Sequence, residues 1–335
     1  MAHAVNRQWR LKSRPVGRIT PDDFELVEAP VPTAGAGEAV ARLLYLSLDP
    51  TNRIWVTDAE SYLPPVQIGE VMRGGGIARI VESNTPQYAV GDLVTGLTGW
   101  QDYALLDGSA MVQPVPAGLS VPPEVFLGVL GVTGLTAYFG LLDIGQPQAG
   151  ETVVISAAAG ATGSVAGQIA KIKGCRVVGI AGGAQKCRWL TDELGFDAAV
   201  DYKAAGWQAR LREACPNGID VNFENVGGEI MDEVMSQMNL NGRVALCGLI
   251  SGYNSGEPMR GRFDLLLTKR LQVRGFIVLD FLPRFAEGMV QLAQWYAEGR
   301  VRHRDTVVAG LEQAPTALNM LFDGGNLGKL LIKVA

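Results

Sequence analysis

Thr152-Val-Val-Ile-Ser156 runs directly into Ala157-Ala-Ala-Gly160-Ala-Thr-Gly163, and this junction constrains the fold more than any other stretch of the chain. The apolar run reads as a buried strand, and the glycine turn opens a helix whose core face is marked by Val165, Ile169 and Ile172 at helical spacing. Gly174 closes that helix before a second apolar strand, Arg176-Val-Val-Gly-Ile-Ala181. The result is a βαβ unit. A helix start leaves backbone N–H groups unpaired, and with the helix dipole these bind phosphate. Gly160 and Gly163 carry no Cβ where the pyrophosphate of a dinucleotide would approach. An ordinary strand-to-helix connection also needs small residues, and alanines 157 and 159 stand near positions where a three-glycine fingerprint has glycine. Further strands expected at 198–201, 220–223 and 244–247 extend the unit into a parallel sheet.

The end of the second strand bears on which dinucleotide fits. An NAD site places an Asp or Glu about 20 residues past the glycines, on the ribose 2′-hydroxyl. Here the chain reads Ala181-Gly-Gly-Ala-Gln-Lys186-Cys-Arg188. A carboxylate would repel a 2′-phosphate, whereas Lys186, with Arg188 or Tyr202 nearby, offers charge-assisted hydrogen bonds to it. NADP(H) is therefore the expected cofactor, the other reading being a solvated lysine in a first helical turn.

At 335 residues, 47% of them apolar, the chain exceeds one typical core and calls for two domains. A formal charge of −5 without a polybasic block argues against nucleic acid or an anionic membrane as partner. Residues 1–15 have no apolar core of a secretory signal. The four cysteines, at 175, 187, 215 and 247, lack CxxC spacing and read as reduced thiols of a cytoplasmic protein. Residues 125–142 carry no charge over 18 positions, but glycines at 128, 131, 134 and 140 argue against a membrane span. The expectation is one buried helix joining the two domains. The first 120 residues differ in character from the remainder of the chain, with short β-like runs at 39–46, 76–81 and 104–106 between turn signals such as Pro64-Pro65 and Gly91-Asp92. They suggest a partly closed β domain.

Several segments, taken in order, carry a family resemblance: Leu46-Ser-Leu-Asp-Pro50 with Arg53, Gly74-Gly-Gly-Ile77, Val132-Thr-Gly-Leu-Thr-Ala-Tyr138, the turn 157–163, Glu224-Asn-Val-Gly-Gly228, Cys247-Gly-Leu-Ile-Ser-Gly-Tyr-Asn254 and the tail 325–329. Over nearly its whole length the chain resembles the medium-chain dehydrogenase/reductase superfamily. The likeness is to its zinc-free branch of leukotriene B4 dehydrogenase, prostaglandin reductase, plant double-bond reductases and bacterial curcumin-type reductases. That resemblance implies an α/β fold, a Rossmann doubly wound parallel sheet with a GroES-like β domain. The expected division is a GroES-like catalytic domain over 1–125, completed by 302–335, and a Rossmann NADP-binding domain over 126–301.

Carried over position by position, the resemblance puts Thr133 and Gly134 by the nicotinamide and Ala161, Thr162 and Gly163 by the pyrophosphate, with Gly160 before them. Lys186 and Tyr202 take the 2′-phosphate, Asn225 and Cys247 the ribose and nicotinamide side, and Asn326 approaches from the tail. No metal is expected: the histidines are His3 and His303, no cysteine precedes 175, and Met72-Arg73-Gly74 stands where zinc alcohol dehydrogenases have a metal-binding Gly-His-Glu. The chemistry left for NADPH without a metal is hydride delivery to the β-carbon of an α,β-unsaturated ketone or aldehyde. A hydrogen bond then serves the carbonyl oxygen and a proton the α-carbon. Related reductases point to Tyr253 as that donor, also within the cofactor set, with Tyr62 second; water or the cofactor ribose hydroxyl are the other proton sources. An NADPH-dependent quinone reductase and a crystallin-like NADPH-binding protein without turnover are the alternatives. In related proteins a late strand, here Leu271-Gln-Val-Arg-Gly-Phe-Ile-Val278, pairs with its twin, so a homodimer acting on a small molecule is expected.

Overall fold

The computed structural model describes residues 5–108, 111–116, 121–256 and 259–335, so His3 lies outside the described residues. Two compact units emerge, Met1–Leu127 with Asp305–Ala335, and Gly128–Arg304.

In chain order the strands of the first unit begin with β1 (Val5–Leu11), β2 (Phe24–Pro30), β3 (Ala39–Leu48), β4 (Gly75–Ser83), β5 (Leu93–Leu97), β6 (Tyr103–Leu106) and β7 (Val112–Pro114). The second unit holds β8 (Thr152–Ile155), β9 (Arg176–Ala181), β10 (Ala198–Asp201), β11 (Ile219–Glu224), β12 (Met238–Leu246) and β13 (Gln272–Gly275). The first unit is completed by β14 (Asp305–Ala309) and β15 (Lys329–Lys333).

In the first unit β1 and β2 form an antiparallel ribbon, Val5 opposite Pro30 and Leu11 opposite Phe24. The larger sheet has the order β14-β15-β3-β4-β5-β7, with β6 also paired to β3. Its core gathers Leu11, Leu43, Leu46, Leu48, Met72 and Trp100, each essentially sealed from solvent. Bulges in the β3–β4 pairing at 40/41 and 43/45 bend the sheet around that core. The one helix between β3 and β4 is α1 (Thr51–Trp55), which buries Asn52, Arg53 and Trp55.

The second unit is a six-stranded sheet, β10-β9-β8-β11-β12-β13, parallel throughout. Its order reverses between β8 and β11, the place where open α/β sheets hold ligands beyond the strand C-termini. Strand β8 is buried along its whole length, as a strand covered on both faces must be. The helices of this unit are α2 (Val132–Phe139), α3 (Ala161–Ile172), α4 (Ala184–Arg188), α5 (Trp207–Ala214), α6 (Gly228–Gln237), α7 (Phe263–Lys269) and α8 (Phe285–Ala297). In the first unit α9 (Ala314–Leu318) and α10 (Met320–Asp323) precede β15.

The uncharged stretch 125–142 is not one helix. A short 3₁₀ turn, Pro123–Leu127, is separated by a break from α2, and α2 gives way to a π-helical turn over Gly140–Gly145. The cause is the Gly128 carbonyl, which accepts from Gly131 N–H and Gly134 N–H at 3.1 Å and from Thr133 Oγ1 at 3.0 Å, closing the chain on itself. A Cβ on Gly134 would stand 1.8 Å from Val129 O, so only glycine permits this turn. Among the described residues no helix is long and apolar enough to cross a membrane. Two strands also differ from expectation: β12 begins at Met238 and ends before Cys247, and β13 covers only the first half of the apolar run from Leu271.

Candidate active site

The turn between β8 and α3 is shaped by Ala157, held at φ +46°, whose carbonyl accepts from Gly160 N–H at 3.0 Å. Helix α3 starts at Ala161 with no side chain capping it, which leaves its first-turn N–H groups, those of Ala161, Thr162 and Gly163, as donors for an anion. The two glycines do different things. A Cβ on Gly163 would stand 2.6 Å from Ala157 O and 2.9 Å from Ala158 Cα, so this glycine lets the helix close on its own turn. At Gly160 a Cβ would meet only Ala157 O, at 3.2 Å.

At the end of β9 the chain turns through Gly182 and Gly183 into α4, which carries Lys186. Tyr202 and Lys203, just past β10, lie over Gly182: a Cβ there would be 2.9 Å from Lys203 Cε and 3.1 Å from Tyr202 Oη. Burial, and then the like charge of Lys203, depress the Lys186 ammonium. Asp201 does not neutralise this corner through its Oδ1, which accepts from Gly183 N–H at 2.8 Å and Lys203 N–H at 3.0 Å. The partly buried Lys186 ammonium, the exposed Lys203 ammonium and a phenol thus share one corner, a donor set suited to a phosphate. Lys203 and Asp201 escaped the sequence reading.

At the C-terminal ends of β8, β11 and β12 a second cluster is organised by Glu224, which is fully buried. Its Oε1 accepts from Ser156 Oγ at 2.8 Å, Val226 N–H at 2.6 Å and Gly227 N–H at 2.8 Å, and its Oε2 from Asn222 Nδ2 at 2.9 Å. Ser156 in turn fixes Asn225, through Asn225 N–H to Ser156 Oγ and Asn225 Nδ2 to Ser156 O, both 2.7 Å. Cys247 N–H donates to Glu224 O at 2.8 Å, and burial, with Glu224 adding, pushes the Cys247 thiol up to about 12. Tyr253 follows a 3₁₀ turn and folds back so that its Oη accepts from Leu249 N–H at 3.1 Å. A Cβ on Gly248 would be 3.2 Å from that oxygen and 3.4 Å from Asn225 O. Asn225, Cys247 and Tyr253 are therefore neighbours, while Thr133 gives its hydroxyl to Gly128 O in the first turn of α2. Glu224 and Ser156 lie outside the sequence-derived set, although Glu224 stands within one of its motifs.

In the first unit Tyr62, 40% exposed, shares a short hydrogen bond with Thr51 Oγ1 at the head of α1. That segment is anchored from beneath. Buried Lys329 donates to Leu48 O at 2.7 Å and Asp49 Oδ1 at 2.9 Å, Asp49 also binds Ser47 Oγ, and Asn52 Oδ1 accepts from Asp49 N–H at 2.8 Å. Asn326 is buried and its Nδ2 closes the tail turn on Gly328 O at 2.9 Å. Among the described residues no three His, Cys, Asp or Glu side chains converge as a metal-binding group.

Two family models match the chain, one described as the N-terminal domain of oxidoreductase over residues 7–114, the other as zinc-binding dehydrogenase over 161–295. The chain belongs to the medium-chain dehydrogenase/reductase family, in the zinc-free branch of curcumin, prostaglandin and 2-alkenal reductases. Within that branch it is 47% identical to the NADPH-dependent curcumin reductase of Escherichia coli, covering 98% of this chain and 97% of the relative. It is 39% identical to the NADP-dependent 2-alkenal reductase of Nicotiana tabacum, covering 100% and 99%. Among solved structures, CurA of Vibrio vulnificus in complex with NADPH superposes with a TM-score of 0.93 at 46% identity, covering 98% of this chain and 99% of that one.

Proposed function

We propose that the chain is an NADPH-dependent reductase of the carbon–carbon double bond of α,β-unsaturated ketones or aldehydes. The observation that carries the reading is the corner formed by Lys186, Lys203 and Tyr202 over Gly182, with the Asp201 Oδ1 turned onto backbone N–H groups. It sits at the end of the second strand, where an NAD site would present a carboxylate. Relatives of near-complete overlap bearing the names curcumin reductase and 2-alkenal reductase support the substrate class.

Bound beyond the strand C-termini, NADPH would supply a hydride, which conjugation directs to the substrate β-carbon. The α3 start and the lysine corner would hold its phosphates, and Asn225 and Cys247 would line the ribose and nicotinamide side. Tyr253, whose Oη accepts from Leu249 N–H, is the residue proposed to donate to the developing oxyanion. Tyr62, held by Thr51, is the second donor.

The subunit acts as a dimer in the cytoplasm. In support, β13 is the sheet's edge strand, and on the adjacent α7 Phe263 and Leu267 lie one turn apart with three quarters or more of their surface exposed. The experiment is NADPH oxidation against a panel of enones and enals, with deuterium-labelled NADPH and product analysis. Label on the β-carbon of a saturated ketone is expected, and an allylic alcohol refutes the reaction. Light scattering that finds a monomer at micromolar concentration refutes the dimer.

A further inference from the structure

Ser156 follows β8 directly and puts a fully buried hydroxyl one position before the glycine turn. A buried hydroxyl is costly unless it is bonded, and alanine would serve as well where a strand end only packs. The sheet ladder does not call for it, since β8 already pairs with β11 through Val153, Val154 and Ile155 against Val221, Asn222 and Phe223. Yet every polar atom of Ser156 is spent on three consecutive residues at the end of β11. Its N–H donates to Phe223 O at 3.2 Å, and its Oγ donates to Glu224 Oε1 at 2.8 Å while accepting from Asn225 N–H at 2.7 Å. Its carbonyl accepts from Asn225 Nδ2 at 2.7 Å.

The direction of these bonds is fixed. Glu224 Oε1 is committed as an acceptor by Val226 N–H and Gly227 N–H, so the hydroxyl proton goes to it and the Oγ lone pairs are left for Asn225 N–H. With Nδ2 on Ser156 O, a flip of the Asn225 amide would set Oδ1 against that carbonyl, so Oδ1 is the atom the amide offers to a donor such as a ribose hydroxyl or a carboxamide N–H. The hydroxyl thus seats the backbone of Asn225, and the carbonyl sets its side chain. Both residues belong to the Gly128–Arg304 unit and lie where its sheet order reverses, between β8 and β11. The neighbouring turn does not depend on the hydroxyl: it is closed by Gly160 N–H on Ala157 O and anchored by Ala158 N–H on Ile180 O, both 3.0 Å.

We infer that Ser156 is a positioning residue for the nicotinamide half of the cofactor, acting through Asn225, while the elements that face the phosphates stand without its hydroxyl. The inference rests on the reading that places Asn225 on the ribose and nicotinamide side.

The test is a double-mutant cycle of Ser156→Ala and Asn225→Ala, read by calorimetric titration with two probes. One is NADP+; the other is adenosine 2′,5′-bisphosphate, which has the adenine-side phosphates and lacks the nicotinamide half. Each single variant is expected to weaken NADP+ by about fivefold, the size of one neutral hydrogen bond, and to leave the bisphosphate within about twofold of native. The double variant is expected to match Asn225→Ala within about twofold, because Ser156 then has no side chain left to position. Should Ser156→Ala not fold, Ser156→Cys, a weaker acceptor of similar size, takes its place in the cycle. Native NADP+ affinity in Asn225→Ala refutes the placement of Asn225 and the inference with it. Weakened NADP+ binding in Asn225→Ala overturns the role of Ser156 alone if Ser156→Ala binds NADP+ as the native protein does, if the two losses multiply in the double variant, or if Ser156→Ala weakens the bisphosphate equally.

Discussion

Replacing Glu224 separates what a buried acceptor does from what its charge does. Two backbone donors, Val226 N–H and Gly227 N–H, meet Oε1 together with Ser156 Oγ, and Asn222 Nδ2 meets Oε2. In Glu224→Ala the serine hydroxyl can rotate and the asparagine can turn, but the two backbone N–H groups cannot leave. At about 1–3 kcal/mol for each stranded donor, plus the cavity left by the side chain, the loss comes to about 3–5 kcal/mol. Glu224→Gln keeps an acceptor at Oε1 and puts an NH₂ opposite Asn222. The Asn222 Oδ1 is buried without a partner, so turning that amide supplies the acceptor the glutamine needs. The cost should then stay under about 2 kcal/mol, the charge assistance alone. Urea unfolding followed by tryptophan fluorescence measures both. A Glu224→Ala loss below about 1 kcal/mol, or a Glu224→Gln loss equal to it, would refute the account of this carboxylate as an acceptor hub.

Lys186→Ala should weaken NADPH binding by about 1.5–3 kcal/mol while leaving NADH nearly untouched, and equal weakening in a fluorescence titration would make Lys186 a mere surface charge. Tyr253→Phe removes a proposed oxyanion donor and should lower turnover by about 10²-fold, with Tyr62→Phe losing less; steady-state kinetics showing both variants at native rates would remove these residues from the chemistry. Cys247 should resist iodoacetamide at pH 8 in the folded protein and react in urea, as read by mass spectrometry, because burial and Glu224 raise its thiol from 9.0 to about 12. Since the folded value is the higher one, the stability this thiol contributes is whole below pH 9 and lost as pH rises toward 12. Melting temperatures that stay level across that window would contradict it.

The βαβ core was legible because its signals are local. Strand β8, the glycine turn and α3 succeed one another within about 20 residues, and the apolar spacing alone sets their order. The stretch 125–142 misled for the opposite reason: apolar composition does not distinguish one helix from a 3₁₀ turn followed by the shorter α2 and a π-helical turn, and the break depends on three donors converging on Gly128 O. The geometry of the Lys186 corner was half legible. Lys186 and Tyr202 carry the family pattern, but the inward turn of Asp201 and the approach of Lys203 are set by pairing of β9 with β10. Glu224 could not be found from periodicity, since its partner Ser156 is 68 positions away and β11 already carries the polar Asp220 and Asn222. A polar residue at or just past the C-terminal end of each of two neighbouring parallel strands is the signal that would have exposed them.

Strand β15 lies between β14 and β3, with Leu330 opposite Leu48. On a translating ribosome the Tyr45–Leu48 edge of β3 is made early and its partner very late. At about 5–20 residues per second the interval is on the order of tens of seconds. Throughout it the Gly128–Arg304 stretch emerges as one uninterrupted length that can fold as soon as it clears the exit tunnel, while the earlier sheet waits with an open edge. The vulnerable species in vivo is thus a nascent chain with its Rossmann unit already formed and a sticky seam behind it. Holdase chaperones and the pace of translation over the last codons should govern yield more than the stability of the finished protein does.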